Sequence, residues 1–114
     1  MVKLIVIDID QNSLTVNGHA GYAEAGKDIV CAAVSILAQT LIHSLAALTG
    51  DRIRYQMEPG HIDIHFENLS DGGQLLIDSF FIGISDIIAT YGDYVQLRAA
   101  EREGNSHEVH ECTQ

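Results

Sequence analysis

Cys31 and His19 are the two side chains whose types and spacing best suit chemistry. A cysteine thiolate is a strong nucleophile, and a neighbouring imidazole can take the thiol proton, so the two together can catalyse acyl transfer. They are 12 positions apart, and the segment between them contains Gly21 and Gly26 without apolar periodicity. This composition predicts a loop, and a loop of this length can fold back at a low entropic cost.

Cys31 falls in the first turn of a predicted helix whose N-cap is Asp28. The start of a helix exposes free N–H groups and the positive end of the helix dipole. Such a position favours a thiolate and lowers the pKa of a cysteine, and the same N–H groups can bind an oxyanion. The Asp28 carboxylate opposes the thiolate unless it is turned towards His19.

The apolar pattern of this helix predicts the face on which Cys31 lies. At about 100° per residue, one side collects the predicted core residues Ile29, Ala33, Ile36, Leu37 and Thr40. Cys31 falls roughly opposite, beside Ser35 and Ala38, whose small side chains leave room for an extended peptide. A structural cysteine under the preceding loop is the alternative. Because cysteine is often buried, the pattern alone favours that alternative, and His19 alone fits a surface hydrogen-bonding residue.

Seven predicted elements must position this pair. They are strands at 2–9 and 14–19, a helix from 28 to about 49, strands at 53–57 and 62–66, a helix from 70 to 92 and a strand at 94–99. Pro59 and Gly60 stand where a type II turn requires them, which predicts a hairpin between the third and fourth strands. The order ββαββαβ predicts an α+β fold, with a mainly antiparallel sheet and two long helices packed on it.

The length of 114 residues predicts one domain at 1–102 and a polar, disordered tail at 103–114. The formal net charge of −10 repels polyanions and attracts basic peptides, so we expect no direct nucleic-acid binding. No apolar run approaches the ~20 residues that cross a bilayer, so we expect no membrane association. With no export signal and no disulfide framework from the 2 cysteines, a cytoplasmic location is expected.

Two other groups of side chains could bind ligands. The tail contains His107, His110 and Cys112, which offers at most three metal ligands, and we expect no metal or other cofactor. His61 and His65 share one strand face around Asp63, and a solvated face is the better interpretation.

Surplus apolar residues predict a helix partner or a homodimer contact. The second half of the first helix is apolar nearly all round, and the second helix has two apolar residues outside its predicted core stripe. These residues are Leu41, Ile42, Leu45 and Leu48 on the first helix, with Leu75 and Ile82 on the second.

The segments GHAGYA at 18–23 and GKDIVCAAVS at 26–35 resemble the signature of the ribosomal-processing cysteine protease family Prp. The resemblance extends over nearly the whole chain in length and element order. It implies a cysteine endopeptidase that removes the N-terminal extension of a large-subunit ribosomal protein during ribosome assembly. It also implies a substrate with a basic extension containing paired Phe, and a homodimeric enzyme.

The resemblance also implies roles for individual residues. Cys31 would be the nucleophile and His19 the general base, with Asp28 and Ser35 in supporting roles. Independently of the resemblance, the glycine-containing loop over residues 20–27, with Gly21, Tyr22 and Gly26, is expected to close over a bound peptide as a lid.

Two other classes remain open at this point. A non-catalytic ribosome-associated binding or assembly module would use the same acidic surface without the thiol. A thiol redox protein is disfavoured, because the sequence contains no C-x-x-C motif.

Overall fold

A computed structural model describes residues 4–21, 23 and 28–99 of the chain. The strands are β1 (Ile5–Ile9), β2 (Ser13–Asn17), β3 (Ile53–Glu58), β4 (His61–Phe66) and β5 (Val95–Ala99), and the helices are α1 (Ile29–Leu48) and α2 (Asp71–Tyr91). The predicted order ββαββαβ and the α+β class are confirmed. Outside the described residues lie Tyr22, Gly26 and the segment 103–114 with His107, His110 and Cys112, so the expectations about them stay predictions.

The five strands in the described part of the chain form one sheet in the order β3-β4-β2-β1-β5. Successive side chains of a strand point to opposite faces, and β1 alternates accordingly, with Ile5, Ile7 and Ile9 buried. Apolar residues of β2 and β4 are buried on the same face. Both helices contribute to the core that covers this face, while the opposite face is polar.

β5 pairs in parallel with β1, whereas the other three neighbouring pairs are antiparallel. The parallel pair was not predicted, because it depends on where the chain returns after α2. A strand–helix–strand crossover lets the chain run in the same direction again. Arg98 of β5 donates from Nε and Nη2 to the two carboxylate oxygens of Asp8 on β1, at 2.7 and 3.0 Å.

α1 uses a different face for the core from the one that the sequence pattern predicted. Its buried residues are Val30, Val34, Ala38, Leu41, Ile42 and Leu45. Ile29 and Ile36, expected in the core, are 51% and 57% exposed. The prediction failed because α1 is apolar nearly all round, so its pattern does not select one stripe. Cys31 therefore borders the core and does not lie opposite it.

α2 follows its predicted core stripe. Ile77, Phe80 and Ile84 are buried, and Leu76, Ile87, Ile88 and Tyr91 pack against the core. The Ser70 hydroxyl accepts a hydrogen bond from the Gly73 N–H at 3.0 Å and caps the helix. Of the residues proposed as surplus apolar surface, Leu48, Leu75 and Ile82 are exposed, whereas Leu41, Ile42 and Leu45 are buried within the chain.

α1 and α2 are each long and apolar enough to cross a membrane by length and composition alone. This corrects the expectation that no apolar segment approaches that length. Each helix places one stripe in the core against the sheet, and core helices meet the same criterion.

A substitution at Gly18, which follows β2, tests how tightly the backbone is packed at the end of this strand. Its φ is +101°, and an added Cβ would collide with the backbone oxygen of Leu4. We expect Gly18→Ala to lower the free energy of unfolding by about 1–3 kcal/mol, measured by urea denaturation. The matched control is Gly50→Ala, where a Cβ meets nothing within 4 Å. Equal stabilities of the two variants would contradict this account.

Candidate active site

Cys31 is the third residue of α1, and the N-cap Asp28 fixes the backbone there. Asp28 Oδ1 accepts hydrogen bonds from the N–H groups of Val30 at 3.0 Å and Cys31 at 2.9 Å. Two of the free N–H groups at the helix start are thereby satisfied. The prediction that α1 starts after Asp28, with Cys31 in its first turn, is confirmed.

The chain that leaves β2 passes directly over the sulfur of Cys31. The N–H of Ala20, which is buried, donates to Cys31 Sγ at 3.2 Å, and the N–H of Gly21 also interacts with the sulfur. The two residues that follow His19 therefore contact the thiol. Gly21, a predicted site residue, adopts a positive φ of 69° at this contact.

The electrostatic surroundings of Cys31 favour the neutral thiol. Burial raises the pKa of the Cys31 thiol, and the Asp28 carboxylate raises it further by its charge and by a hydrogen bond. The N–H groups of Ala20 and Gly21 lower this pKa by a smaller amount. The expectation of a lowered pKa is therefore wrong, mainly because the thiol is partly buried and secondarily because the Asp28 carboxylate opposes the thiolate. Because a free cysteine already titrates near 8.5, the resting thiol is protonated at neutral pH.

Cys31 and His19 line the same cleft, which has a volume of about 430 Å³. Ile5, Val16 and Ile62 of the sheet form part of its wall. The turn at 59–60 and the end of β3 form another part. Ser35 and Gln39 also line it. Because residues four apart share one helix face, the stripe Cys31, Ser35 and Gln39 forms the helical wall.

Two imidazoles line this cleft, and their surroundings differ. His61 Nδ1 lies 2.5 Å from Asn17 Oδ1, and its Nε2 lies 2.9 Å from Asp63 Oδ2. The His19 ring is exposed and, within the described part of the chain, has no hydrogen-bond partner. The ring nitrogens of His61 are therefore both engaged, while those of His19 are available.

His19 packs against the turn that joins β3 and β4. Gly60 has a φ of +80°, and an added Cβ would lie 2.8 Å from His19 Nε2. The predicted Pro59-Gly60 turn therefore does more than reverse the chain, because its glycine leaves room for the imidazole.

The sequence analysis missed several residues of the cleft. They are Gln39, Met57, Glu58 and His61. His61 was assigned to a solvated face because its neighbours within the strand are polar. Its pairing with Asn17 joins two strands that are not consecutive in the sequence, so no local signal pointed to it.

The sequence pattern of the family described as "Cysteine protease Prp" matches residues 1–96. The chain belongs to this family. It is 29% identical over 103 residues to the ribosomal processing cysteine protease Prp of Staphylococcus aureus, covering 82% of this chain and 97% of that protein. It is also 62% identical over 32 residues to the Prp of Mycoplasma genitalium, covering 28% of this chain and 32% of that protein.

Solved structures agree with this assignment. The crystal structure of S. aureus Prp with a covalently linked product peptide matches with a TM-score of 0.80 at 25% identity, over 84% of this chain and 99% of that one. A Streptococcus mutans protein matches with a TM-score of 0.70 at 28% identity, over 86% and 93% of the two chains. As a Prp family member the chain is a cysteine protease, which removes the reason for a non-catalytic or redox assignment.

The effect of Asp28 on the thiol can be measured by alkylation. In a Cys112→Ser background, the rate of iodoacetamide modification of Cys31 reports its thiolate fraction at each pH. We expect Asp28→Asn to lower the pKa of Cys31 and to speed alkylation at neutral pH, because the charge that opposes the thiolate is removed while a capping oxygen remains.

The matched control is Asp63→Asn, which removes a carboxylate that hydrogen-bonds to His61 and not to the thiol. It should leave the alkylation profile of Cys31 unchanged. An unchanged profile in Asp28→Asn, or an equal change in both variants, would contradict the assigned cause.

Proposed function

We propose that the chain is an endopeptidase that removes the N-terminal extension of a large-subunit ribosomal protein, with Cys31 as nucleophile and His19 as general base. The observation that carries the proposal is the shared cleft, in which the thiol and an imidazole without a hydrogen-bond partner among the described residues lie together. Membership in a family of cysteine proteases supports the reaction class. The similarity to ribosomal processing cysteine proteases of S. aureus and M. genitalium supports the substrate class.

Cys31 suits the nucleophile because it lines the cleft while its backbone is held by the helix cap. Its sulfur is half-buried and is bounded by the N–H groups of Ala20 and Gly21. Attack of the sulfur on a peptide carbonyl carbon would form a C–S bond and place negative charge on the carbonyl oxygen. The same two N–H groups could then donate to that oxygen, as oxyanion-binding groups do.

His19 suits the base better than His61. A general base must have a free nitrogen that can receive a proton. The contacts of His61 with Asn17 and Asp63 occupy both of its ring nitrogens, whereas His19 is exposed. In the proposed reaction His19 takes the thiol proton and gives it to the leaving amine, and water then hydrolyses the thioester to release the carboxylate product.

The raised pKa of Cys31 gives Asp28 a supporting function in this scheme. Burial and the carboxylate together favour the protonated sulfur in the free enzyme, so in this scheme the thiolate forms when His19 accepts the proton beside bound substrate. Ser35, one turn after Cys31 and exposed at the cleft, supplies a hydroxyl near the substrate. In this proposal Asp28 and Ser35 support the reaction of Cys31 without forming a bond to the substrate.

The charges and walls of the site suit a basic peptide with bulky apolar residues. The chain carries a net charge of −10, and Glu58 is the one carboxylate among the described residues that line the cleft. Met57 and the sheet residues give the same cleft an apolar wall. We also propose that the extension of the substrate is basic and contains paired Phe. The enzyme is proposed to be a homodimer and to be located in the cytoplasm.

Cleavage of a basic peptide containing paired Phe tests this function. We expect Cys31→Ala to abolish cleavage and His19→Gln to reduce kcat by about 10²–10⁴-fold, the usual contribution of a general base. Product formation by mass spectrometry and initial rates measure both effects.

The matched control is His61→Gln, which removes the other imidazole of the cleft. It should retain the pH dependence of kcat/KM that His19→Gln loses. Cleavage that persists in Cys31→Ala, or a loss of the pH dependence in His61→Gln instead of His19→Gln, would refute the assigned roles.

A further inference from the structure

We propose that the substrate peptide binds as an added β-strand along the free edge of β3, beside the cleft that contains Cys31. This inference rests on the proposed function, because it describes how the substrate of the same site is held. Its basis is the direction of the peptide groups in β3.

The hydrogen bonds of β4 fix that direction. The Phe66 N–H donates to the Asn12 oxygen, and the Gly18 N–H donates to the Gly60 oxygen, both at 2.9 Å. Even-numbered positions of this segment therefore direct their peptide groups towards β2. Because successive residues of a strand direct them to opposite sides, the odd-numbered residues of β4 direct theirs towards β3.

The register between β3 and β4 determines which residues of β3 direct their peptide groups towards the free edge of the sheet. The odd-numbered residues of β4 pair with Arg54, Gln56 and Glu58, which therefore direct their peptide groups inward. Ile53, Tyr55 and Met57 then direct their N–H and C=O groups away from β4. Since β3 is an edge strand, these groups face no other strand in the described part of the chain.

The same residues of β3 face the helix side of the sheet. Tyr55 and Met57 pair with Ile64 and Ile62, which are buried on that side. Met57 lines the cleft, and Tyr55, although on the core side, is 49% exposed. Free backbone groups and accessible apolar side chains therefore occur together along the strand that leads to the cleft.

The position of the cleft selects this edge over the other. Met57 and Glu58 of β3 line the cleft together with Cys31, whereas none of the described residues of β5 does so. A peptide paired with the free edge of β3 would therefore reach the cleft that contains Cys31 at the end of this strand. In strand addition, main-chain hydrogen bonds supply affinity while alternate side chains enter pockets. Glu58, at the end of the edge, suits the basic character of the proposed substrate.

N-methylation of the substrate peptide tests the pairing directly. Peptides with one N-methyl group each, moved residue by residue, are assayed for cleavage by the unmodified protein and for binding to Cys31→Ala by fluorescence anisotropy. Because every second N–H of an added strand faces β3, we expect losses of about tenfold at alternate residues and small effects between them. Losses without this period of two would overturn the inference.

A pair of substitutions at Tyr55 tests the protein side. Tyr55→Ala removes the ring but keeps the outward N–H, whereas Tyr55→Pro removes both. Proline is tolerated at an edge strand when its missing N–H does not face the neighbouring strand, so both variants should fold, as checked by thermal melts. We expect Tyr55→Pro to bind the peptide about tenfold more weakly than Tyr55→Ala, through the loss of the hydrogen bond and the crowding of its partner.

Three outcomes separate the possibilities. Equal peptide binding by Tyr55→Ala and Tyr55→Pro overturns strand addition while leaving the protease proposal intact. Absence of both cleavage and binding of the unmodified peptide overturns both proposals. A change in oligomeric mass in Tyr55→Pro but not in Tyr55→Ala, measured by light scattering, would assign the edge to a second copy of the chain and overturn the inference.

Discussion

The Asp28 carboxylate accepts the N–H groups of Val30 and Cys31, and the position of the thiol depends on this cap. An Asp N-cap contributes about 1 kcal/mol to a helix, but its effect here extends beyond stability. It fixes the first turn of α1 where the chain leaving β2 crosses it, so the Ala20 N–H reaches the sulfur. The same carboxylate adds to the effect of burial in raising the pKa of Cys31, so Asp28 influences both the position and the protonation of the thiol.

The sheet order completes the site from segments that are distant in sequence. β2 delivers His19 to the cleft, and β4 lies beside β2, so the turn at 59–60 reaches the imidazole. Gly60 leaves space for that ring. Placing β3 outside β4 leaves an open edge next to the cleft. The position of His19 and the edge that we assign to the substrate thus follow from the pairing of β2, β4 and β3.

The sequence was sufficient for the elements and their order, because caps, turns and alternation are local signals. Asp28, Ser70 and the Pro59-Gly60 turn each fix a boundary through contacts within a few residues. The core face of α1 could not be predicted, since a helix that is apolar nearly all round has several candidate stripes. The parallel pair β1–β5 and the inclusion of His61 in the cleft depend on contacts between distant segments, which no local pattern contains. The pKa of Cys31 likewise depends on burial that the sequence does not record.

The protonated state of Cys31 has a consequence for oxidative damage. Peroxide attacks the thiolate far more readily than the thiol, and susceptibility rises with exposure. The Cys31 thiol is half-buried, and burial together with Asp28 raises its pKa. It therefore resists conversion to sulfenic and sulfinic acids while no substrate is bound, so the surroundings that slow the free thiol also protect it from peroxide.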